Sequence, residues 1–372
     1  MSVPIETEQS RRQLRELLLD LLRIRNLRVA IAVGFRVAGS VGIAAPVLFT
    51  GASLGSQGQR ATFRATTEPS VEVLDTAPTW SPNGREIAFA RILRTAHEAR
   101  YSVLVLHVAA RPRWASSIAT GLFPTATPLS WAPDSGRLGI GYDAIDVFSS
   151  KGTRLRHFDV SSLGPLQFRW SPDGRWIAVI SPDGTLTVIP VQSGMRLLVA
   201  RDASQGTSVA GVVWTDRAHV AFIDIENELV LSSIDGSTHR TIARLPSSPP
   251  NDLTRSPNGA SFAVASYASS KPAIWLIKSN GSRLRRLTTG NVPSWSPDGA
   301  SIVFSRKDGV WRISTTGRAL RHLAPGPASQ PAWSPRGSKI VYVTKDIHCG
   351  HFGIFWMTDT GQHRARLTNG CR

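Results

Sequence analysis

The sequence predicts an all-β protein, a β-propeller of about seven four-stranded blades (six are also possible), preceded by an N-terminal helix and an apolar span. A Trp-led turn motif recurs about every 40 residues, and a fixed period of that size is typical of repeat architectures. Each copy is followed by a segment in which apolar and other residues alternate, as in half-buried strands. A separate apolar stretch near the N-terminus predicts the span.

The N-terminal segment divides into three parts. Residues 1–28 are predicted to contain a short basic helix, because leucines recur at helical spacing among several arginines. Residues 29–50 are almost free of polar side chains, which predicts a transmembrane anchor, and the preceding arginines place the N-terminus in the cytoplasm. Residues 51–75 are predicted to form a polar tether, with residues 71–74 as a candidate extra strand.

The membrane anchor has two alternatives, since Arg36 and several glycines weaken the span. One is a cleaved signal peptide with its apolar core at residues 37–50, and the other is a plain buried helix. The expected location is therefore the cytoplasmic membrane, with one span and the propeller outside. Secretion or release into the periplasm after signal cleavage is the alternative.

The repeat is carried by a motif with the consensus Trp-Ser-Pro-Asp-Gly. Pro sets φ at the first central position of a turn, Asp or Asn accepts turn hydrogen bonds, and Gly closes the turn, so each copy predicts a hairpin. We expect the tryptophans to pack between neighbouring blades. The copies begin at Trp80, Trp131, Trp170, Trp214, Trp295 and Trp333, with Arg255 in place of one tryptophan.

The segments between motifs complete each blade. After every turn a strand carries two apolar residues in register with the motif, and a second turn at a glycine such as Gly152 or Gly317 precedes a last strand. Four strands make one propeller blade, so residues 76–372 are predicted to form the ring. The paired inward positions are Ile87 and Phe89, Leu138 and Ile140, Ile177 and Val179, Val220 and Phe222, Phe262 and Val264, Ile302 and Phe304, and Ile340 and Tyr342.

The motif, the following Ile-Ala-Phe-like strand and the Arg285-Arg286-Leu287-Thr288 ending resemble the WD40-like repeats of TolB-type propellers. The resemblance covers roughly four-fifths of the chain and is specific for the fold. It implies a role among the family's partners of outer-membrane translocation systems or its non-catalytic peptidase domains. A fold does not determine a function, so these roles are expectations only.

The formal net charge of +17 raises the possibility of nucleic-acid binding. The basic residues are mainly arginines spread through every repeat, without a groove-reading motif, so no nucleic-acid partner is expected. Their position on outer strands favours protection of exposed sheet edges, with an anionic surface as the alternative. The expected partner is a protein or an anionic cell-envelope polymer, bound by a monomer.

Two cysteines, Cys349 and Cys371, lie in the last repeat. Antiparallel register around the last hairpin places them near each other, which predicts a disulfide bond and an oxidising compartment. A zinc site that combines both cysteines with His348, His351 and His363 is the alternative. Paired Cys-x-x-Cys elements are missing, so no metal and no cofactor are expected.

The function expected from the sequence is a non-catalytic, extracytoplasmic binding or scaffold propeller, and no catalytic residue is assigned. A hydrolase or lyase with a site in the channel is the alternative. Binding is expected on the propeller face whose connections vary in length, because function is often carried by variable loops on a rigid scaffold. The candidate residues there are His97, Glu98, Asp143, Asp224, Glu226, Asp252, Lys345 and His348.

Overall fold

The computed structural model describes residues 71–109, 114–121, 128–141, 144–160, 167–203, 211–246, 250–268 and 271–368. They belong to one compact unit, Thr66–Arg372. The predicted basic helix, membrane anchor and most of the tether lie outside these residues. Within them, no helix of the length and apolar character needed to cross a membrane is present.

The described residues form twenty-eight strands, which we group in chain order as blades 1 to 7 of four strands each. Every blade is an antiparallel meander in which consecutive strands pair. The strands of blades 1 to 3 are β1 Glu72–Trp80, β2 Glu86–Arg94, β3 Ala99–His107, β4 Trp114–Gly121; β5 Leu129–Trp131, β6 Arg137–Gly141, β7 Ala144–Ser149, β8 Arg154–Asp159; β9 Gln167–Trp170, β10 Trp176–Ile180, β11 Leu186–Pro190 and β12 Leu197–Ala200.

The remaining blades repeat the same order. The strands of blades 4 to 7 are β13 Val212–Trp214, β14 His219–Ile223, β15 Glu228–Ser233, β16 His239–Arg244; β17 Pro250–Arg255, β18 Ser261–Ala268, β19 Lys271–Lys278, β20 Arg285–Thr289; β21 Asn291–Trp295, β22 Ser301–Arg306, β23 Gly309–Ser314, β24 Arg321–Pro325; β25 Ser329–Trp333, β26 Lys339–Lys345, β27 Phe352–Thr358 and β28 Ala365–Arg366. Blades 7 and 1 are joined into one sheet by a parallel bridge between Leu74 and Phe352.

The blades close into a ring with their first strands innermost. The first strand of each blade contacts the first strand of the next, from β1 and β5 round to β25 and β1. Seven apolar clusters form the core, and each lies between two neighbouring blades, including blades 7 and 1. The ring therefore has seven blades, which resolves the choice between six and seven in favour of seven.

Side chains on the second strand of each blade point alternately to the two neighbouring blades, which explains why the blades form a ring. Ile87 and Phe89 pack against blade 7, whereas Ala88 between them packs against blade 2. A sheet with two apolar faces buries both only when it has a neighbour on each side, so the blades depend on one another. All the inward pairs predicted from the sequence are buried, which confirms the predicted strand register.

The motif turns have one construction in most blades. In blade 1 the amide of Gly84 donates to the carbonyl of Ser81 at 2.8 Å, and Gly84 has a φ of +66°, which favours glycine. The Ser81 hydroxyl donates to Asn83 Oδ1 at 2.8 Å, and the Ser296 hydroxyl donates likewise to Asp298 at 2.5 Å. The motif is therefore used to close tight hairpins.

The strands of blade 1 are longer than those of the other blades at two places. The first strand begins at Glu72 rather than near Thr76, so the candidate strand at 71–74 contributes to β1 and residues 72–75 belong to the ring. Strands β2 and β3 run to Arg94 and from Ala99, so only residues 95–98 connect them. In both places the strand extends because its residues pair with a long neighbouring strand.

Candidate binding face and central channel

The connections of the ring divide between two faces. Since every blade is an antiparallel meander, the turns between its first and second and between its third and fourth strands lie on one face, which we call the turn face. Its described residues are 81–85, 108–109, 132–136, 150–153, 171–175, 191–196, 215–218, 234–238, 256–260, 279–284, 296–300, 315–320, 334–338 and 359–364.

The opposite face carries the connections between second and third strands and those between blades, and we call it the loop face. These connections range from the single residue Gly290 to the span 201–211. Its described residues are 95–98, 128, 160, 181–185, 201–203, 211, 224–227, 245–246, 290, 307–308, 326–328 and 346–351. Connection length therefore varies widely on the loop face, whereas the turn-face connections all have about four to six residues.

The candidate residues are spread over the loop face. His97 and Glu98 are exposed in the β2–β3 connection, where the Glu98 amide donates to Thr95 Oγ1 at 3.1 Å. Lys345 ends β26, and His348 is exposed in the next connection. Asp143 lies outside the described residues. These side chains belong to different blades and do not line one common cavity.

Asp224 and Glu226 lie together in the β14–β15 connection. Asp224 is buried, and its Oδ1 accepts the amides of Glu226 at 3.0 Å and Glu228 at 2.8 Å. Burial raises the pKa of Asp224, against the effect of these two hydrogen bonds. The carboxylate thus holds the loop that presents Ile225, whose exposed fraction is 70%.

The β26–β27 connection is held in a similar way. Asp346 accepts the His348 amide at 2.8 Å and Arg366 Nη1 at 2.8 Å, and the hydrogen bond from the His348 amide lowers the pKa of Asp346. His351 Nδ1 accepts the Val73 amide at 3.1 Å, which ties blade 7 to blade 1. This loop presents Ile347, which is 90% exposed.

Cys349 lies in the same connection and is not a free thiol. Cys371 lies outside the described residues, so their pairing stays a prediction. In the described part of the ring, no three His, Cys, Asp or Glu side chains come together as metal ligands would.

The first strands of six blades enclose a cavity of about 370 Å³ in the channel. It is lined by Trp80, Trp131 and several prolines, with Arg169 and Asp252 as its charged residues. Burial lowers the pKa of Arg169 to about 10, and the charge of Asp252 opposes that shift. Asp252, predicted as a loop residue, is therefore a buried channel residue of β17.

Side chains three residues before the motif connect neighbouring blades at the channel. Gln330 Oε1 accepts the Ala77 amide at 2.8 Å and thereby closes the ring between blades 7 and 1. Gln167 Oε1 accepts the Gly211 amide at 2.5 Å, and Asp252 Oδ2 accepts the Val292 amide at 3.2 Å. Sequence reasoning missed the two glutamines, although their constant distance from the motif was visible.

The motif indoles lie between blades. The Nε1 of four of them donates to the carbonyl that precedes the motif of the previous blade. These pairs are Trp80 to Ala332 at 3.2 Å, Trp131 to Thr79 at 3.2 Å, Trp170 to Ser130 at 3.1 Å and Trp214 to Arg169 at 3.0 Å.

The other motif side chains behave differently. Trp333 Nε1 donates to Gly337 of its own turn at 2.9 Å, and Arg255 Nη2 reaches the matching Gly259 carbonyl at 3.4 Å. The buried Nε1 of Trp295 has no hydrogen-bond partner among the described residues. The same position thus offers indoles with and without a bond between blades.

Solved structures with this fold include proteins of unrelated kinds. An oligogalacturonate lyase in complex with manganese has 12% identity and a TM-score of 0.59, covering 77% of this chain and 90% of its own. The β-propeller domain of Cps50 (Swd1) from Myceliophteria thermophila has 13% identity and a TM-score of 0.59, covering 78% and 98%.

A structure described as TolB from Agrobacterium tumefaciens has 23% identity and a TM-score of only 0.44, covering 57% of this chain and 83% of its own. No family model and no curated protein matches the chain. At these identities the comparisons show the β-propeller fold alone.

Proposed function

We propose that this chain is a non-catalytic binding or scaffold propeller, TolB-like in role, which takes a protein partner on its loop face. The observation that carries the proposal is the presentation of Ile225 and Ile347, which are 70% and 90% exposed on loops of two different blades. Binding is often carried by loops on a rigid scaffold, so these two side chains are placed to contact a protein.

The loops that present these side chains are already ordered by hydrogen bonds. Asp224 holds the first loop and Asp346 the second, each through two bonds between 2.8 and 3.0 Å. A preformed loop loses less conformational entropy on binding, so more of the contact energy contributes to affinity. The acidic residues thus support the loops rather than perform chemistry.

The test places a photoactivatable amino acid at Ile225 or Ile347 in the full chain expressed in its host. Matched controls carry it at Met195 and Leu320, which are 67% and 45% exposed on the turn face. We expect one partner, identified by mass spectrometry, to be captured from both loop-face positions and from neither control.

A second substitution separates specific capture from random contact. Ile225→Asp is expected to abolish capture by the reagent at Ile347, because both positions would touch the same partner. Capture that is equal from both faces, or that survives Ile225→Asp unchanged, contradicts a loop-face protein site.

The proposed location is the outer side of the cytoplasmic membrane, with residues 29–50 as the anchor. The apolar composition of that segment and the predicted pair of Cys349 and Cys371 support it. Fractionation, protease access in spheroplasts and thiol labelling with and without reductant test it. Recovery in the soluble cytoplasm with both thiols free contradicts it.

A lyase or hydrolase with a channel site is the second candidate. The observation in its favour is the cavity of about 370 Å³ that holds Arg169, with its pKa of about 10, near Asp252. Incubation with oligogalacturonate, with and without manganese, and detection of an unsaturated product would test it. Turnover lost in Arg169→Met but retained in Ile225→Asp would replace the non-catalytic proposal.

A further inference from the structure

The two faces of the ring differ in charge. Among its described residues, the turn face carries nine exposed Arg or Lys side chains, with at least one from every blade, and four exposed Asp. The loop face carries two exposed Arg or Lys and five exposed Asp or Glu. The positive charge of the described ring is therefore concentrated on the turn face, opposite the face proposed for a protein partner.

The acidic residues of the turn face have a structural role in its turns. Asp134, Asp216, Asp235 and Asp298 each accept the amide two residues further on, at distances between 2.7 and 3.1 Å. Such hydrogen bonds stabilise tight turns, which accounts for these carboxylates. The arginines that follow or occupy the turns, such as Arg85 and Arg217, are not required for turn geometry.

The cations form a broad array rather than a line. They sit on short turns in all seven blades, so they are distributed around the whole ring on one face. Two exposed apolar side chains lie among them: Met195 beside Arg196, and Leu320 close to Arg318. A wide cationic surface with apolar side chains suits a flat anionic layer better than a single extended chain.

We propose that the turn face docks on the anionic headgroups of a lipid bilayer. The guanidinium groups would bind phosphate oxygens, and Met195 and Leu320 would enter the boundary between headgroups and acyl chains. This inference does not depend on a partner at the loop face. The anionic polymer considered from the sequence is the other possible ligand of such a surface, and the experiment separates the two.

The test measures binding of the full chain to vesicles of phosphatidylglycerol and phosphatidylcholine, and to vesicles of phosphatidylcholine alone. The turn-face variant combines Arg85→Gln, Arg175→Gln, Arg217→Gln and Arg336→Gln, four exposed side chains from blades 1, 3, 4 and 7. A cation near an anionic surface contributes about fivefold in affinity, so two effective contacts predict a loss of about 25-fold and four a loss of several hundredfold.

The matched control removes the same charge at or beside the loop face, through Arg94→Gln, Arg100→Gln, Arg201→Gln and Lys307→Gln. It is expected to bind anionic vesicles like the parent chain. All variants share the same N-terminal segment, so its contribution is measured for each variant on phosphatidylcholine vesicles alone, and only the additional binding to anionic vesicles is compared. Circular dichroism melts establish that each variant is folded before binding is compared.

Three results would overturn the proposal. Equal losses in the two variants would show attraction by net charge alone, and unchanged binding of the turn-face variant would remove the face from consideration. Displacement of the parent chain from vesicles by polyphosphate, with tighter binding to the polymer than to the lipid, would assign the face to an anionic polymer instead.

Discussion

The indole bonds between blades can be tested by one substitution made at two equivalent positions. Trp80 and Trp295 both end the first strand of a blade, and both are half-buried. The Trp80 Nε1 donates to the Ala332 carbonyl across the closure of the ring, whereas the buried Trp295 Nε1 has no partner among the described residues. Replacement of either tryptophan by Phe removes the indole N–H and makes the aromatic side chain smaller.

The magnitude follows from the hydrogen bond alone, since the lost apolar area is similar at the two sites. A hydrogen bond contributes about 1 kcal/mol net to the free energy of unfolding, while a buried N–H without a partner costs about 1–3 kcal/mol. Trp80→Phe loses the first, and Trp295→Phe relieves the second. We therefore expect Trp80→Phe to be more destabilising than Trp295→Phe by about 2 kcal/mol or more.

Thermal and urea unfolding of both variants, measured beside the parent chain, check this difference. For a domain of this size about 2 kcal/mol corresponds to roughly 4 °C in Tm. Equal destabilisation of the two variants would refute the argument. It would mean that the smaller aromatic side chain, and not the hydrogen bond, determines the loss of stability. The same outcome would leave the motif tryptophans as packing residues without a role in hydrogen bonding between blades.

Three further predictions concern other positions. Gln330→Leu should lower the free energy of unfolding by about 1–2 kcal/mol, because the half-buried Ala77 amide loses its acceptor. Gln330→Glu keeps an acceptor and should lower it less, as measured by urea titration of both variants. The hydrogen bond from the Ser296 hydroxyl lowers the pKa of Asp298 in the folded chain. Ionised Asp298 therefore stabilises the fold at pH values above the ordinary pKa of a carboxyl group, and this stabilisation is lost as the pH falls below that value. Asp298→Asn should therefore lose less stability than the parent chain between about pH 5 and pH 2, measured by urea midpoints. Val292 has a φ of +51°, so Val292→Gly should raise Tm by relieving backbone strain, and an unchanged or lower Tm would contradict this.

The sequence predicts the blades well because each blade is specified locally. The motif turn, the alternating strand after it and the second glycine turn all lie within about 40 residues, so each copy can be interpreted without its neighbours. The buried pair Ile87 and Phe89 and the turn at Gly84 illustrate this agreement.

The contacts between blades are less predictable. Gln330 closes the ring by accepting the Ala77 amide, which lies 253 positions away in the sequence. No local pattern indicates that pairing, and a half-buried Gln resembles an ordinary polar residue. The sequence predicts a loop at Asp252, whereas pairing with β18 places it in a strand that lines the channel.

The functional meaning of the arginines is also only partly predictable from the sequence. Their frequency in every repeat is visible in the sequence, and protection of outer sheet edges is a sufficient explanation for those in mid-strand, such as Arg156. Their concentration on one face appears only when the turns are sorted by topology, because turns from all seven copies then lie on the same side. Edge protection does not explain that one-sided distribution.

The topology also explains how one ring can hold two unrelated surfaces. Both kinds of turn on the turn face are short hairpins, so insertions there would disrupt the register of neighbouring strands. The charge of the turn side chains can therefore change more freely than the length and shape of the turns. The loop-face connections are free to lengthen, so shape can vary there, and Ile225 and Ile347 project from such connections. The turn face, whose charge can change at constant shape, therefore suits an anionic lipid layer. The loop face, whose shape can change, suits a specific protein. Photocrosslinking from the loop face and vesicle binding through the turn face use different residues, so either result can fail while the other stands.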